Sequence, residues 1–237
     1  MPTDLVVLLP PSEGKAPGGA EHWRARSGAF AGLATAGLAV VRAYADALLH
    51  GPAPAKVVGA SGPLIERAQH AARLLLRNRA PSLPAAERFT GVVWEHLRSG
   101  DGDVPVERIA VVSALLGAVA GDDPVPDHRL KLSVSLPPLG RLDRFWRPTL
   151  ARTIARWADG REVWDLLPVE HAAAVAGLPG PRVRVRFEGI SGHDAKAMKG
   201  ALARHLLLAG SHAGFDFHGW RATRAGDDVV VAPKRKR

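Results

Sequence analysis

The chain contains no cysteine. Disulfides, thiol redox sensing, cysteine-ligated zinc and iron–sulfur clusters are therefore all excluded. Long apolar runs are also missing. The longest, Ile109 to Ala120, is interrupted by Ser113 and falls well short of the roughly 18–20 residues that span a bilayer. The Leu5–Leu9 run is too short for a signal peptide and lacks a basic leader. A cytoplasmic protein with no membrane partner is the expectation.

Several motifs are absent as well. Gly14-Lys15 is followed by Ala16, so the Walker A pattern, which continues Gly-Lys into Ser or Thr, is not met. There is no Gly-x-Ser-x-Gly elbow and no Rossmann glycine pattern. The ten histidines form no metal-binding spacing such as His-x-x-x-His. Neither a metal nor another cofactor is expected. No internal repeat and no long linker interrupts the chain.

Acidic residues are outnumbered, 23 against 32 basic ones, for a net charge of +9. Four of those charges sit in the tail Lys234-Arg235-Lys236-Arg237, expected to be disordered. The body, residues 1–233, remains moderately basic, which suits a polyanionic partner. With 46% hydrophobic residues over 237 positions, one compact domain with a proper core is expected.

The patterning alternates strand and helix. Leu5–Leu9, with β-branched Val6 and Val7 before Pro10, reads as a buried strand. Helical spacing recurs over Ala29–Leu49, Leu64–Arg79, Phe89–Leu97, Asp143–Trp157, Val169–Ala176 and Ala195–Leu208. Pro148 should sit at a kink or a restart. A helix is expected to begin at Leu115. Strands are predicted at Arg108–Val112, Leu130–Leu136 and Val163–Leu167. Arg182-Val-Arg-Val-Arg-Phe187 alternates strictly, putting three arginines on one strand face. A hairpin is expected across Ala225–Asp228. The fold class that follows is α/β or α+β.

Four stretches carry candidate chemistry. Pro11-Ser12-Glu13-Gly14-Lys15 follows the first strand, where free backbone N–H groups and a lysine suit an anion, or simply make a turn. Val57-Val-Gly59-Ala-Ser61-Gly62-Pro63 precedes a basic helix that includes Arg67. It resembles a degenerate helix-hairpin-helix, and a plain helix start opened by proline is an equal reading. Arg129 and Lys131 would project to the same side of a strand near Asp122, Asp123 and Asp127. Lys196 and Lys199 are helical i, i+3 neighbours behind Asp194, a natural cap. Like charges so placed repel unless an anion lies between them.

These pieces assemble into a resemblance. "VLLPPSEGK" looks like the opening of the YaaA peroxide-stress protein family. Phe89-Thr-Gly-Val-Val-Trp94 is similar to its Phe-x-Gly-x-x-Tyr segment. "VVSALLGAVAGDDPVPDHRLKLSVSL" resembles its Ser-Gly-Leu-Tyr-Gly block, which leads through an aspartate to an Arg-Leu pair. Ser113, Leu115, Gly117, Asp123, Arg129 and Leu130 fall at the matching spacings. Phe145-Trp146, "AKAMKGALAR" with Lys196, Lys199, Gly200 and Arg204, and Gly214-Phe215 also match. The departures are the later lysine at Lys15, Leu116 for tyrosine, and Ala120-Gly121 for Arg-Pro, as in a divergent actinobacterial-type branch.

The resemblance implies a single mixed α/β domain over residues 1–233 with a mixed sheet, flanking helices and a basic cleft. It also implies binding of double-stranded or distorted DNA through a helix-hairpin-helix-like element, and protection against peroxide and iron-dependent damage. The expected DNA- or anion-binding residues are Lys15, Gly59, Ser61, Gly62, Arg67, Ser113, Arg129, Lys131, Lys196, Lys199 and Arg204. The other reading is an enzyme for a small anionic or nucleotide-like substrate in the same cleft. Ser12, Glu13 and Lys15 would then be its catalytic candidates.

Overall fold

The computed structural model describes residues 5–25 and 27–234. All but Lys234 of the expected basic tail lies outside them. Leu5–Leu9 is a strand whose five side chains are all buried. Its two faces are therefore both covered, as in the middle of a parallel sheet. It pairs in parallel with Ile109–Ser113 on one side and Glu162–Asp165 on the other.

The main sheet has eight strands. From one edge they run Asp216–Phe217, Trp220–Ala225, Asp228–Pro233, Arg182–Phe187, Glu162–Asp165, Leu5–Leu9, Ile109–Ser113 and Gly117–Ala120. The inner strands, from Asp228–Pro233 to Ile109–Ser113, are mutually parallel, and antiparallel partners close both edges. The predicted hairpin across Ala225–Asp228 forms one of those edges. The class is α/β with a mixed sheet.

The helices form largely where the apolar spacing puts them. Ala34–Leu49 buries Val40, Val41, Tyr44, Ala45 and Leu48. The wider stretch Ala31–Leu49 is long and apolar enough by length and composition to cross a membrane; in the fold its apolar face packs into the core. Pro63–Leu76 opens on its proline. Gly192–Ala209 opens after Ser191, with no side-chain hydrogen bond capping it there, rather than at the expected cap Asp194, which lies in its first turn. It ends at left-handed Gly210. It packs on Val92–Arg98 and on the first strand. Gly200 permits that approach, because a Cβ there would lie 2.2 Å from the Val93 carbonyl oxygen.

Three local expectations fail for identifiable reasons. No helix begins at Leu115. Ser113 Oγ accepts the Leu116 N–H, Gly117 adopts φ +79°, and Gly117–Ala120 returns antiparallel to Ile109–Ser113. A short apolar run cannot by itself distinguish strand from helix. The strand predicted for Leu130–Leu136 shrinks to Ser135–Leu136, because a turn closes from the Val134 N–H to the Lys131 carbonyl. Pro148 neither ends nor restarts its helix, which runs unbroken from Leu142 to Ala158. Burial of Leu142, Trp146, Leu150 and Ile154 along one face outweighs one missing backbone donor. The structure also holds strands that the sequence pattern does not predict. Pro81–Pro84 pairs with Glu21–His22 on one side and Pro124–Pro126 on the other in a small three-stranded sheet, the prolines standing at strand ends.

Candidate functional site

From the first strand the chain proceeds to Ile109–Ser113 on one side, and only later adds Glu162–Asp165 on the other. Where connections part in this way, a crevice opens beyond the carboxyl ends of the strands. A cavity of about 530 Å³ lies there. Its walls include Pro10–Lys15, which follow the first strand, and Pro168, Glu170 and His171, which follow Glu162–Asp165. Residues 128–133, Lys196 and Lys199 complete it.

The loop after the first strand is held by residues distant in sequence. Trp94 Nε1 donates to the Pro10 carbonyl at 3.3 Å. Thr90 N–H donates to the Gly14 carbonyl and Ala16 N–H to that of Arg88. Gly91 lies so close that a Cβ there would sit 2.3 Å from Ser12 Oγ. Arg88, fully buried, donates to the carbonyls of Val125, Ala16, Gly18 and Pro81. One guanidinium thus pins the end of this loop to the small sheet.

Glu13 sits between two cations. Its carboxylate accepts from Arg129 at 2.6 Å and pairs with Lys131 at 2.7 Å. The hydrogen bond from Lys131, aided by both cationic charges, holds Glu13 below the usual carboxylate range against partial burial. Arg129 is itself oriented, since its Nε donates to the Val58 carbonyl and its backbone N–H to the Tyr44 hydroxyl.

The lysines differ from one another. Lys15 Nζ donates to the Ser12 carbonyl at 2.8 Å and lies over the Phe89 ring. Burial lowers its pKa to about 8, Asp127 opposing and Arg129 and Arg88 reinforcing the shift. Lys199 also falls to about 8, first through burial, with the Lys196 charge adding to it and Asp165 and Glu170 opposing. Lys196 is exposed at the rim. Among the described residues none of these three lysines is ion-paired with a carboxylate.

Two histidines line the same space, and burial pushes both below the ordinary imidazole range. His128 is driven well below its usual range by burial and the Lys15 charge, with Nδ1 2.9 Å from the Pro126 carbonyl oxygen. His171 falls to about 4, again mainly through burial, and its buried Nδ1 has no hydrogen-bond partner. The lining thus presents Lys15, Arg129, Lys131, Lys196 and Lys199 against only Glu13 and Glu170. That balance suits a phosphate or carboxylate. Among the described residues no group of three or more His, Asp and Glu side chains comes together as a metal site would require.

The expected site residues separate into three groups. Ser12, Glu13, Lys15, Arg129, Lys131, Lys196 and Lys199 meet at the cavity. Gly59, Ser61, Gly62 and Arg67 lie beside it. Gly59–Gly62 is a turn between the helices Pro54–Val58 and Pro63–Leu76, with left-handed φ at Gly59 and Gly62. A Cβ on Gly59 would touch Lys131 Cε at 3.7 Å. Arg67 pairs with Asp127 at 2.7 Å and donates to the Lys15 carbonyl.

Ser113 and Arg204 lie apart from the cavity lining. Ser113 is fully buried and holds the strand turn at Leu116. Arg204 donates to the carbonyls of Leu97, Asp101 and Gly102 and so ties down the loop after Val92–Arg98. Both are occupied in holding structure. Sequence reading passed over Arg88, Gly91, His128 and His171. Gly91 and His128 lie within segments that match the family, and His171 is a titratable residue shortly after a strand in an alternating α/β pattern; Arg88 left no such signal.

A sequence model of the family described as "Peroxide stress protein YaaA" matches residues 5–220. A UPF0246 protein of Streptomyces coelicolor is 32% identical over 224 residues, covering 87% of this chain and 84% of the relative. One from Corynebacterium efficiens is 32% identical over 229 residues, covering 86% of each. Another, from Corynebacterium glutamicum, is 31% identical over 229 residues, covering 88% and 87%.

Proposed function

The chain belongs to the peroxide stress protein YaaA family, and on that premise we propose that its basic cleft binds distorted DNA, taking one extruded nucleotide or backbone phosphate. The observation that carries this reading is the convergence of five cationic side chains and two carboxylates on one cavity of about 530 Å³. Such a volume is that of a small-molecule site, roughly 300–1,000 Å³. It is too small for a duplex and suits a single nucleotide unit.

The helix–turn–helix at Pro54–Leu76 supports the DNA reading. Its turn adjoins Lys131 through Gly59, so a strand whose phosphate rests on the helix start at Pro63 could continue into the cleft. A helix-hairpin-helix-like role is assigned to Gly59, Ser61 and Gly62 on that basis. Extruding a nucleotide is least unfavourable where pairing is already broken, which fits a protein that meets oxidatively damaged DNA in the cytoplasm.

One specific observation favours a second reading. Lys15 and Lys199, each lowered to about 8, with neutral His171 beside them, form the kind of perturbed titratable cluster found in catalytic pockets. A free nucleotide-like anion would then be the ligand, processed by an enzyme.

Fluorescence anisotropy separates the two. Under the first reading a duplex with a central unpaired bubble binds at least about tenfold tighter than the same duplex fully paired, and mononucleotides compete only at high concentration. Equal affinity for both duplexes, with strong competition by a mononucleotide, would transfer the cleft to the second reading.

A further inference from the structure

Four lysines line the cleft, and the surroundings of two of them, Lys15 and Lys199, are not alike. Lys15 Nζ is committed to a hydrogen bond with the Ser12 carbonyl. Among the described residues Lys199 Nζ has no hydrogen bond and no ion pair; its one recorded contact is the face of Phe187, 5.7 Å from the ring centroid. It projects from the second turn of Gly192–Ala209 into the same cavity as His171. His171 stands close enough for the Lys199 charge to act on its ring; its buried Nδ1 makes no hydrogen bond, with Glu170 Oε1 3.6 Å away. An amine without a donor role, beside an imidazole whose Nδ1 makes no hydrogen bond, in a cavity of small-molecule size, is an arrangement for chemistry at a carbonyl.

We propose that Lys199 is a nucleophilic amine and that the cleft captures a phosphate-bearing aldehyde as an imine on its Nζ. This rests on the reading of the cleft as an anion site of nucleotide size. Lys15 and Lys196, which have no carboxylate partner among the described residues, supply the charge that holds the phosphate, with Arg129 and Lys131 beside them, and the neutral fraction of Lys199 meets the carbonyl carbon.

The step balances without a co-reactant. The neutral Nζ adds to the carbonyl carbon, and the carbonyl π pair moves to oxygen. One amine proton passes by way of His171 to that oxygen, giving a carbinolamine. The second follows the same route to the hydroxyl, which leaves as water as the C=N bond forms. Amine plus aldehyde gives imine plus water, both amine protons leaving in the water. Burial of Lys199, with its pKa near 8, keeps ~10% of the amine neutral at pH 7, against well under 0.1% for an ordinary lysine. Desolvation of this kind activates lysine nucleophiles.

The aldehyde has two chemical sources, an open-chain abasic sugar within DNA or a free sugar phosphate. Borohydride, which reduces an imine to a stable secondary amine, is added to the protein with either probe, and the modified peptide is located by mass spectrometry. One probe is a duplex carrying an aldehydic abasic site; the other is glyceraldehyde 3-phosphate. A third duplex, carrying the tetrahydrofuran analogue that has no aldehyde, measures DNA binding alone.

The expected result is labelling concentrated at Lys199, reduced at least twentyfold in Lys199→Met and in Lys199→Arg, with both variants melting as folded proteins by circular dichroism. Preferential labelling by the abasic duplex assigns the strand-borne aldehyde, and preferential labelling by glyceraldehyde 3-phosphate assigns the free one. Labelling spread equally over exposed Lys56 and Lys234, or undiminished in Lys199→Arg, overturns the proposal. Binding of the tetrahydrofuran duplex with no cross-link to the abasic duplex or to glyceraldehyde 3-phosphate also overturns it and leaves the DNA reading standing. If the tetrahydrofuran duplex is not bound, the DNA reading falls, and labelling of Lys199 by glyceraldehyde 3-phosphate alone decides the matter.

Discussion

Two regions of this molecule gather positive charge, and they treat it in opposite ways. Over the edge region of the main sheet, the end that Asp216–Phe217 closes, Arg182, Arg184 and Arg186 line one face of the inner strand Arg182–Phe187, with Arg221 and Arg224 on nearby Trp220–Ala225. Each has an acidic partner: Asp165 for Arg182, Asp228 for both Arg184 and Arg186, Asp216 for Arg221 and Glu162 for Arg224. In the cleft, Glu13 serves Arg129 and Lys131, while Lys15, Lys196 and Lys199 are left without a carboxylate. The edge is neutralised by its own neighbours. The cleft keeps its charge unspent, and burial of Lys15 and Lys199 makes keeping it unfavourable. Uncompensated buried charge marks a site more reliably than a conspicuous run of arginines.

The largest expected effect separates the two regions by binding. Replacing Lys15 and Lys199 by methionine and Lys196 by alanine should weaken anion binding by ~100-fold or more, since charge-assisted contacts contribute about 1.5–3 kcal/mol each. Replacing Arg184 and Arg186 by alanine should change it less than about threefold, because those side chains are already paired and exposed. Anisotropy titrations of all three proteins at one salt concentration make the comparison. Equal losses would erase the distinction between cleft and edge.

Next comes stability. Lys199→Met removes a buried amine that the fold does not pair, so the variant should be more stable at pH 7 by ~1–3 kcal/mol. The folded pKa of Lys199, about 8, lies below its ordinary value of 10.5. Its penalty is therefore fully present below pH 8 and fades as pH rises from 8 toward 10. Urea unfolding should show wild-type stability climbing across that window and the variant climbing less. A variant that is less stable at pH 7 would mean that Lys199 is compensated after all.

A smaller effect tests the loop that carries Lys15. Gly91→Ala places a Cβ against Ser12 Oγ and must shift the loop. Binding is expected to weaken by ~10-fold, comparable with losing one such contact, about 1.4 kcal/mol. The smallest is at the edge. Asp228→Asn should lower stability by less than about 1 kcal/mol. It would, however, release Arg184 and Arg186 to bind anions a few-fold better at low salt. That gain would show directly that pairing is what silences the edge.

The same contrast explains what could be read from the sequence. Strand Leu5–Leu9 was legible because a continuous β-branched run closed by proline has few alternatives. Gly192–Ala209 was legible from its helical spacing and from Gly210 at its end, although the chain enters it at Ser191 and not at the expected cap Asp194. The pairing of Lys196 with Lys199 on one face followed from helical spacing alone. The Leu115 region was not legible, because its turn depends on Ser113 Oγ and on the Trp146 ring beside Gly117. Arg129 and Lys131 reach the cleft together without the strand predicted for them, since both are drawn to Glu13, over 100 residues away. Arg182, Arg184 and Arg186 looked basic in sequence because their partners Asp165 and Asp228 come from other strands. Arg204 fitted the family pattern in position, yet its guanidinium is taken up by backbone carbonyls.

The claim that unites these observations is that the unpaired cleft lysines are the phosphate-binding charge of the protein. The salt dependence of binding to a bubble-containing duplex tests it most directly. Each neutralised phosphate adds about −0.9 to the slope of log K against log salt on duplex DNA. The wild-type slope should be about −3 or steeper and should lose about two to three units when Lys15, Lys196 and Lys199 are replaced together. It should hold within about half a unit when Arg184 and Arg186 are replaced. A slope unmoved by the cleft variant, and flattened by the edge variant, would contradict the account.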